Sequence, residues 1–314
     1  MKVKKILSLF MIIAILLSTL LTATSCANSF EDIIYAIKSE NHLTDDGLVY
    51  SIFENNTVVI TGRQVDHDDL VIPDEIDGMP VVEIGENAFC NDQTLVLLTI
   101  GKNVKVIRDS AFSECALLAR VQVGEGLKKI CSSAFYSCPR LAEFIGATNL
   151  EIIDTVAFYN CTVLAYFNFP ETLTTLNDEA FSGCESLTEI VLPEKLKTVG
   201  VGVFFYCPSL TRVSLGKLES VADRMFLNCS SLSNVTMPPK ATLIGAHAFR
   251  GCSSLKQISV PKTVKTVGEA AFAQCESLAK VNYEGNQKAF KKISYGAEND
   301  FFYNANIAYK QKIN

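Results

Sequence analysis

Thiols are the commonest reactive groups in this chain, with eleven cysteines against three histidines. Eight of them, Cys115, Cys138, Cys161, Cys184, Cys207, Cys229, Cys252 and Cys275, each stand three residues after a phenylalanine. Such a series could ligate a metal, act as nucleophiles or pair as disulfides. Metal ligation fails on spacing, because no histidine or second cysteine lies at the short offsets that zinc sites use. Nucleophilic catalysis lacks partners: His42, His67 and His247 occupy unrelated positions, and no nucleophile motif or paired carboxylates accompany them. Disulfides are within reach, since stacked strands lie about 4.8 Å apart, yet the side chains of one ladder point the same way. The series therefore reads as buried thiols serving as small apolar residues. Asp92 takes the first rung, and Cys90 and Cys131 fall off the ladder. Asp66, Asp68 and Asp69 around His67 read as solvated carboxylates of a loop, with calcium as the alternative. No catalytic residue, metal or cofactor is expected.

What sets the thiols in register is a unit of about two dozen residues. Its phenylalanine recurs at Phe89, Phe112, Phe135, Phe158, Phe181, Phe204, Phe226, Phe249 and Phe272, in steps of 23 residues with one of 22 after Phe204. In the copy from Leu187 to Leu210, Ile190 and Leu192 alternate with outward residues, the period of a strand with one buried face. Leu196 and Val199 predict a second short strand or extended turn. Pro73, Pro170, Pro193, Pro238 and Pro261 end five of the first strands, since proline cannot continue the ladder. One coil can bury these residues only against its neighbours. The expected fold is a β-rich solenoid of about ten short coils with a parallel sheet, in place of the two globular domains that length alone suggests.

The array is expected at 47–314. An N-terminal β-hairpin cap (47–69) turns at Glu54-Asn55-Asn56-Thr57, where Asn suits a tight turn. Repeats span 70–285. A polar, partly helical closing segment (286–314) lays Phe290, Ile293 and Ile307 over the last coil. Before the array, 27–46 reads as a linker, with a short helix capped at Ser29 as the alternative. Residues 1–26 read as a targeting segment: Lys2, Lys4 and Lys5, an apolar run from Ile6 to Leu21, then Ala23-Thr24-Ser25-Cys26. Those last residues resemble the lipobox of bacterial lipoprotein precursors, with Ala23 where that family usually has Leu. The resemblance implies a diacylated Cys26 and a membrane-anchored, exported protein. An ordinary secretory peptide or an uncleaved anchor is the alternative.

The unit L-x-x-I-x-L-P-x-x-L-x-x-I-G-x-x-A-F-x-x-C is similar to that of the BspA-like leucine-rich repeat family of bacterial surface proteins. The similarity includes an opening segment, Val71-Ile72-Pro73 through Ala88-Phe89, and a closing one, Tyr283-Glu284-Gly285 through Ile307. It implies surface display and adhesive or protein–protein binding to host or microbial proteins or glycans, with no catalytic motif. No asparagine ladder follows the strand, so a regular helical convex face is not expected. Net charge is −6 without a basic patch, which argues against nucleic acid. The exposed face would run through Leu97, Arg120, Glu143, Tyr166, Glu189 and Arg212, with Ile145, Asn168 and Val191 in the adjacent row. Tyr166 beside Ile145, Asn168 and Val191 is the candidate contact cluster, and Arg120/Glu143 and Glu189/Arg212 form opposite-charge neighbours. The alternative is plain cross-strand pairing on a solvated sheet. For the whole protein, the alternative is a structural spacer of the envelope without a specific ligand.

Overall fold

The computed structural model describes residues 36–310; Cys26 and the proposed Ser29 cap lie outside them. From Ile37 onward the chain forms a β-solenoid of about eleven turns with little helix. One part of the expected linker is strand. Ile37–Leu43 (β1) pairs antiparallel with Leu48–Phe53 (β2), which pairs with Val58–Arg63 (β3). Most β1 side chains are exposed, so it has no amphipathic pattern to announce it. Backbone bonds to the free edge of β2 hold it instead. The hairpin turns at Asn56, φ +57°, and β3 then runs parallel to Met79–Ile84. The cap is thereby hydrogen-bonded into the array.

Each later coil but one gives two strands. The first follows the repeat leucine, as in Leu97–Ile100 and Arg120–Val123, and stacks in register, Leu98 on Val121. The second is only two residues long, as in Val106–Ile107 and Lys129–Ile130. The chain then turns tightly at the phenylalanine. Residues two before and two after each ring adopt positive φ, for example Ser110 and Glu114 around Phe112, or Asn228 after Phe226. Asn and Gly fill only some of these positions, so composition hid the pattern. The turns leave room for the rings to face inward.

The nine rings are at most 3% exposed and stack face to face, with neighbouring centroids 5.0 Å apart at closest and 5.9 Å at widest. A buried Phe contributes about 2–3 kcal/mol. The thiols do more than fill space. Every ladder Sγ donates to the carbonyl of the preceding coil's phenylalanine: Cys115 to Phe89 at 3.2 Å, Cys184 to Phe158 at 3.3 Å, Cys275 to Phe249 at 3.1 Å. These thiols are free. Burial pushes those of Cys161, Cys184 and Cys207 well above the usual range, and that of Cys275 up to about 12. At the first rung no earlier ring supplies a carbonyl. There the Asp92 carboxylate accepts from the Thr94 and Leu95 amides and pairs with Arg63 of β3 at 2.6 Å.

The closing segment continues both rows rather than only covering them. Helix α1 (Gln287–Phe290) leads into Ser294–Tyr295, which pairs with Thr266–Val267, and helix α2 (Asp300–Asn304) leads into Asn306–Tyr309, which pairs with Lys280–Tyr283. Phe290 and Ile293 are buried and Ile307 is half-buried. Phe302, 30 residues after Phe272 and so out of phase, ends the ring stack at 4.7 Å.

Candidate interaction face

The outward residues of the first row stand in register on either side of one coil: Leu97, Arg120 and Glu143 before it, Glu189, Arg212 and Asn234 after it. Arg120 reaches Glu143 at 3.1 Å, and Arg212 reaches Glu189 at 3.9 Å. All four side chains are about half exposed, so these pairs contribute little stability. Arg120/Glu143 and Glu189/Arg212 flank Tyr166 as mirrored pairs, with both carboxylates nearer the tyrosine.

The strand expected at Tyr166–Phe169 is absent. The first row ends at Glu143–Ile145 and restarts at Glu189–Val191; it is interrupted again between Asn234–Thr236 and Gln257–Val260, where both strands are present but not paired with each other. The amides from Ala165 to Phe169 donate to no described residue, whereas Ala142 donates to Ala119 at 2.9 Å. Successive peptide groups of a strand point to opposite neighbours, so pairing is lost on both flanks.

The cause is inside. Most other coils place two aliphatic residues on the inner face, such as Val121/Val123 or Ile190/Leu192, and Val281/Tyr283 carries one ring; here the pairs are Phe144/Gly146 and Phe167/Phe169. The three extra rings set themselves edge-on to the main stack, Phe144 to Phe158 at 5.2 Å and Phe167 to Phe181 at 4.9 Å. Gly146 has φ +97°, and a Cβ there would meet the Val123 carbonyl at 2.0 Å, so only glycine fits. Two rings on the inner face of one coil, Phe167 and Phe169, hold it out of ladder geometry, since a close-packed core cannot absorb the volume of both in place; the single inner rings Phe144 and Tyr283 leave their strands paired.

Outside, this leaves two clefts on either side of Tyr166. One of about 460 Å³ is lined by Glu143, Ile145, Thr148, Tyr166 and Asn168. The other, of about 550 Å³, is lined by Tyr166, Asn168, Glu171, Glu189 and Val191. Tyr166 is 63% exposed, Val191 59% and Ile145 38%. Tyr166 and Asn168 thus form the ridge between these clefts, with Ile145 on one flank and Val191 on the other. Sequence reasoning missed the break itself, although Phe167 and Phe169 at aliphatic positions were its visible sign.

The remaining polar candidates do not converge. Arg63 donates to the His67 carbonyl at 2.5 Å, and the Asp68 carbonyl accepts the Val96 and Leu97 amides. That loop is fastened through its backbone. Among the described residues no three His, Cys, Asp or Glu side chains form a metal-binding group, and no helix is long and apolar enough to cross a membrane.

Known proteins can be set beside this geometry. No curated protein matches the chain. Among solved structures, the leucine-rich repeat protein of T. pallidum is 28% identical over 68% of this chain and 91% of its own, with a TM-score of 0.52. A leucine-rich cell surface protein from Faecalibacterium prausnitzii A2-165 is 20% identical over 80% and 97%, with a TM-score of 0.37. The pneumococcal vaccine antigen PcpA is 15% identical over 88% and 100%, with a TM-score of 0.49. The family model for the BspA-type leucine-rich repeat region matches residues 82–211 and 175–308. With nine in-phase rings, two strand rows and that match, the chain belongs to the BspA-type leucine-rich repeat family.

Proposed function

We propose that this repeat protein is a non-enzymatic interaction module, held on the outside of a bacterial cell by a lipid on Cys26, that binds host or microbial macromolecules through the ridge at Tyr166. The carrying observation is the break in the first row. It exposes an aromatic ring, two aliphatic side chains and unpaired backbone amides together, on a coil that has lost its first strand while its rings stay stacked. Exposed aromatic groups rimmed by charge are what interface centres use. The mirrored carboxylates fix orientation more than affinity. Two acyl chains on Cys26 would anchor the protein stably, as one would not.

Mature protein, Cys26 onward, is to be arrayed against matrix proteins, glycans and bacterial surfaces. The expected result is saturable binding that falls at least tenfold for Tyr166→Ala with Val191→Ser. Binding that is negligible throughout would favour the spacer. Binding unaffected by the double variant would place the contact elsewhere. Incorporation of labelled palmitate, lost in Cys26→Ser, tests the anchor separately.

A further inference from the structure

A second opening lies where the repeat is one residue short. The turn Gly216-Lys217 joins Leu215 to Leu218 with two residues, where Pro193-Glu194-Lys195 joins Leu192 to Leu196 with three. The second row breaks at this coil. Thr198–Val199 pairs back to Thr175–Leu176, and Ser220–Val221 pairs forward to Leu243–Ile244, but nothing joins the two. Regular coils are bonded here: Lys197 N–H to the Thr174 carbonyl at 3.0 Å, Gly200 N–H to Leu176 at 2.8 Å. The corresponding amides of Glu219 and Ala222 donate to no described residue, and the carbonyls of Lys197 and Val199 that would accept them receive no amide from one. The first row stays paired, Glu189 on Arg212 on Asn234, and the rings stay stacked, Phe204 on Phe226 at 5.7 Å. The short turn thus opens one side of the coil without parting the core.

The result is a cleft of about 760 Å³, lined by Lys195, Lys197, Thr198, Lys217, Glu219 and Ser220 among others. Lys217 is held by Glu194 at 2.6 Å. Lys195 and Lys197 are exposed and have no ion-pair partner among the described residues. The cleft therefore offers the unpaired Glu219 amide, with that of Ala222 next along the same edge, the unpaired Lys197 and Val199 carbonyls and two uncommitted ammonium groups, in a chain of net charge −6.

The geometry points to a docking cleft for an extended polypeptide segment that carries an acidic side chain. A peptide backbone supplies both acceptors for Glu219 and Ala222 and donors for Lys197 and Val199, the logic of adding a strand to an open edge. A carboxylate on the segment meets Lys195 and Lys197. This cleft is separate from the Tyr166 ridge and does not depend on it.

The probe is a phage-displayed library of random ten-residue peptides, selected on the mature protein. Enriched peptides should carry Asp or Glu beside β-branched residues and should slow exchange of the Glu219 and Ala222 amides at least tenfold. Inserting a glutamate between Gly216 and Lys217 restores the 23-residue step and should weaken these peptides at least tenfold, as should Lys195→Glu with Lys197→Glu, while Tyr166→Ala leaves them unchanged. Should the insertion fail to fold by circular dichroism, the charge-reversed variant decides. The proposal is overturned if no peptide is enriched, if enriched peptides bind the insertion or charge-reversed variant equally, or if Tyr166→Ala abolishes their binding.

Discussion

Between Arg120 and Val123 the first strand pairs on both flanks, whereas two coils later Tyr166 to Phe169 pair on neither. Yet the inner frame of the two coils is the same. Phe135 and Phe181 stack on Phe158 at 5.3 and 5.0 Å, and Cys138 and Cys184 donate to the preceding ring's carbonyl at 3.1 and 3.3 Å. Stacking is thus held by rings, thiols and turns, and the outer strand's hydrogen bonds can be given up. A repeat protein can then vary its exposed face coil by coil without losing its register.

The sharpest test sets ring against ridge. Phe181→Ala should cost about 3–5 kcal/mol in urea unfolding, because it removes a fully buried ring whose site cannot collapse. Tyr166→Ala should cost less than about 0.5 kcal/mol. Comparable losses for the two would mean that the outer strand carries stacking after all.

The first rung is a different kind of exception, and the next largest effect is expected there. Arg63→Met would leave the Asp92 carboxylate buried without its cation, a loss of about 3 kcal/mol. Burial opposes ionisation of Asp92, but the Thr94 and Leu95 amides, the Thr94 hydroxyl and Arg63 outweigh it and hold the carboxyl below its ordinary 3.8. A lowered folded-state value means this stability is complete above about pH 4 and is lost as pH falls through the folded value. Urea midpoints from pH 2 to 6 should converge for wild type and Asp92→Asn at the acid end. A constant gap would show that the carboxylate's charge contributes nothing.

How much of this could be read beforehand follows from what each feature needs. The ring and thiol periods were legible because burial demands one residue type per rung. The hairpin was legible from Asn55-Asn56 between apolar runs. β1 was not, because edge pairing through the backbone leaves side chains unconstrained. Phe302 was not, because two helical turns shift it out of phase. Tyr166, Ile145, Asn168 and Val191 could be assigned to the outer face by alternation alone. The clefts beside them could not, since these follow from Phe167 and Phe169 packed against Phe181 inside the coil. Likewise the 22-residue step was plain, but which of the two rows it would open depended on where the short turn sits.

The thiols offer a smaller contrast between filling space and donating a bond. Cys184→Ala should cost about 1–2 kcal/mol, part of it for the donor withdrawn from the Phe158 carbonyl. Cys184→Ser keeps a donor and should recover some of that loss. Alkylation should reach the exposed Cys90 well before any ladder thiol, because burial disfavours the reactive thiolate. Ladder thiols that react in the folded protein would mean the interior is not dry.

The smallest effect should be a gain. Two residues before each ring the backbone takes positive φ, at Asn87, Ser110, Ser133, Glu179, Gly202, Arg224, His247 and Ala270. Val156 does so too, at φ +50°, and alone among them it is β-branched, so its Cβ crowds the backbone in a region such residues avoid. Its amide still bonds to the Asp178 carbonyl at 2.9 Å, so the turn is imposed by the stack and the residue bears the strain. Asn tolerates this conformation, and the half-buried valine gives up only part of its apolar contact in the exchange. Val156→Asn should therefore stabilise the protein by about 0.5–1 kcal/mol, seen as a higher urea midpoint at unchanged slope. Destabilisation of similar size would mean that valine's packing, and not the turn, decides this position, and that the frame tolerates less variation than its regularity implies.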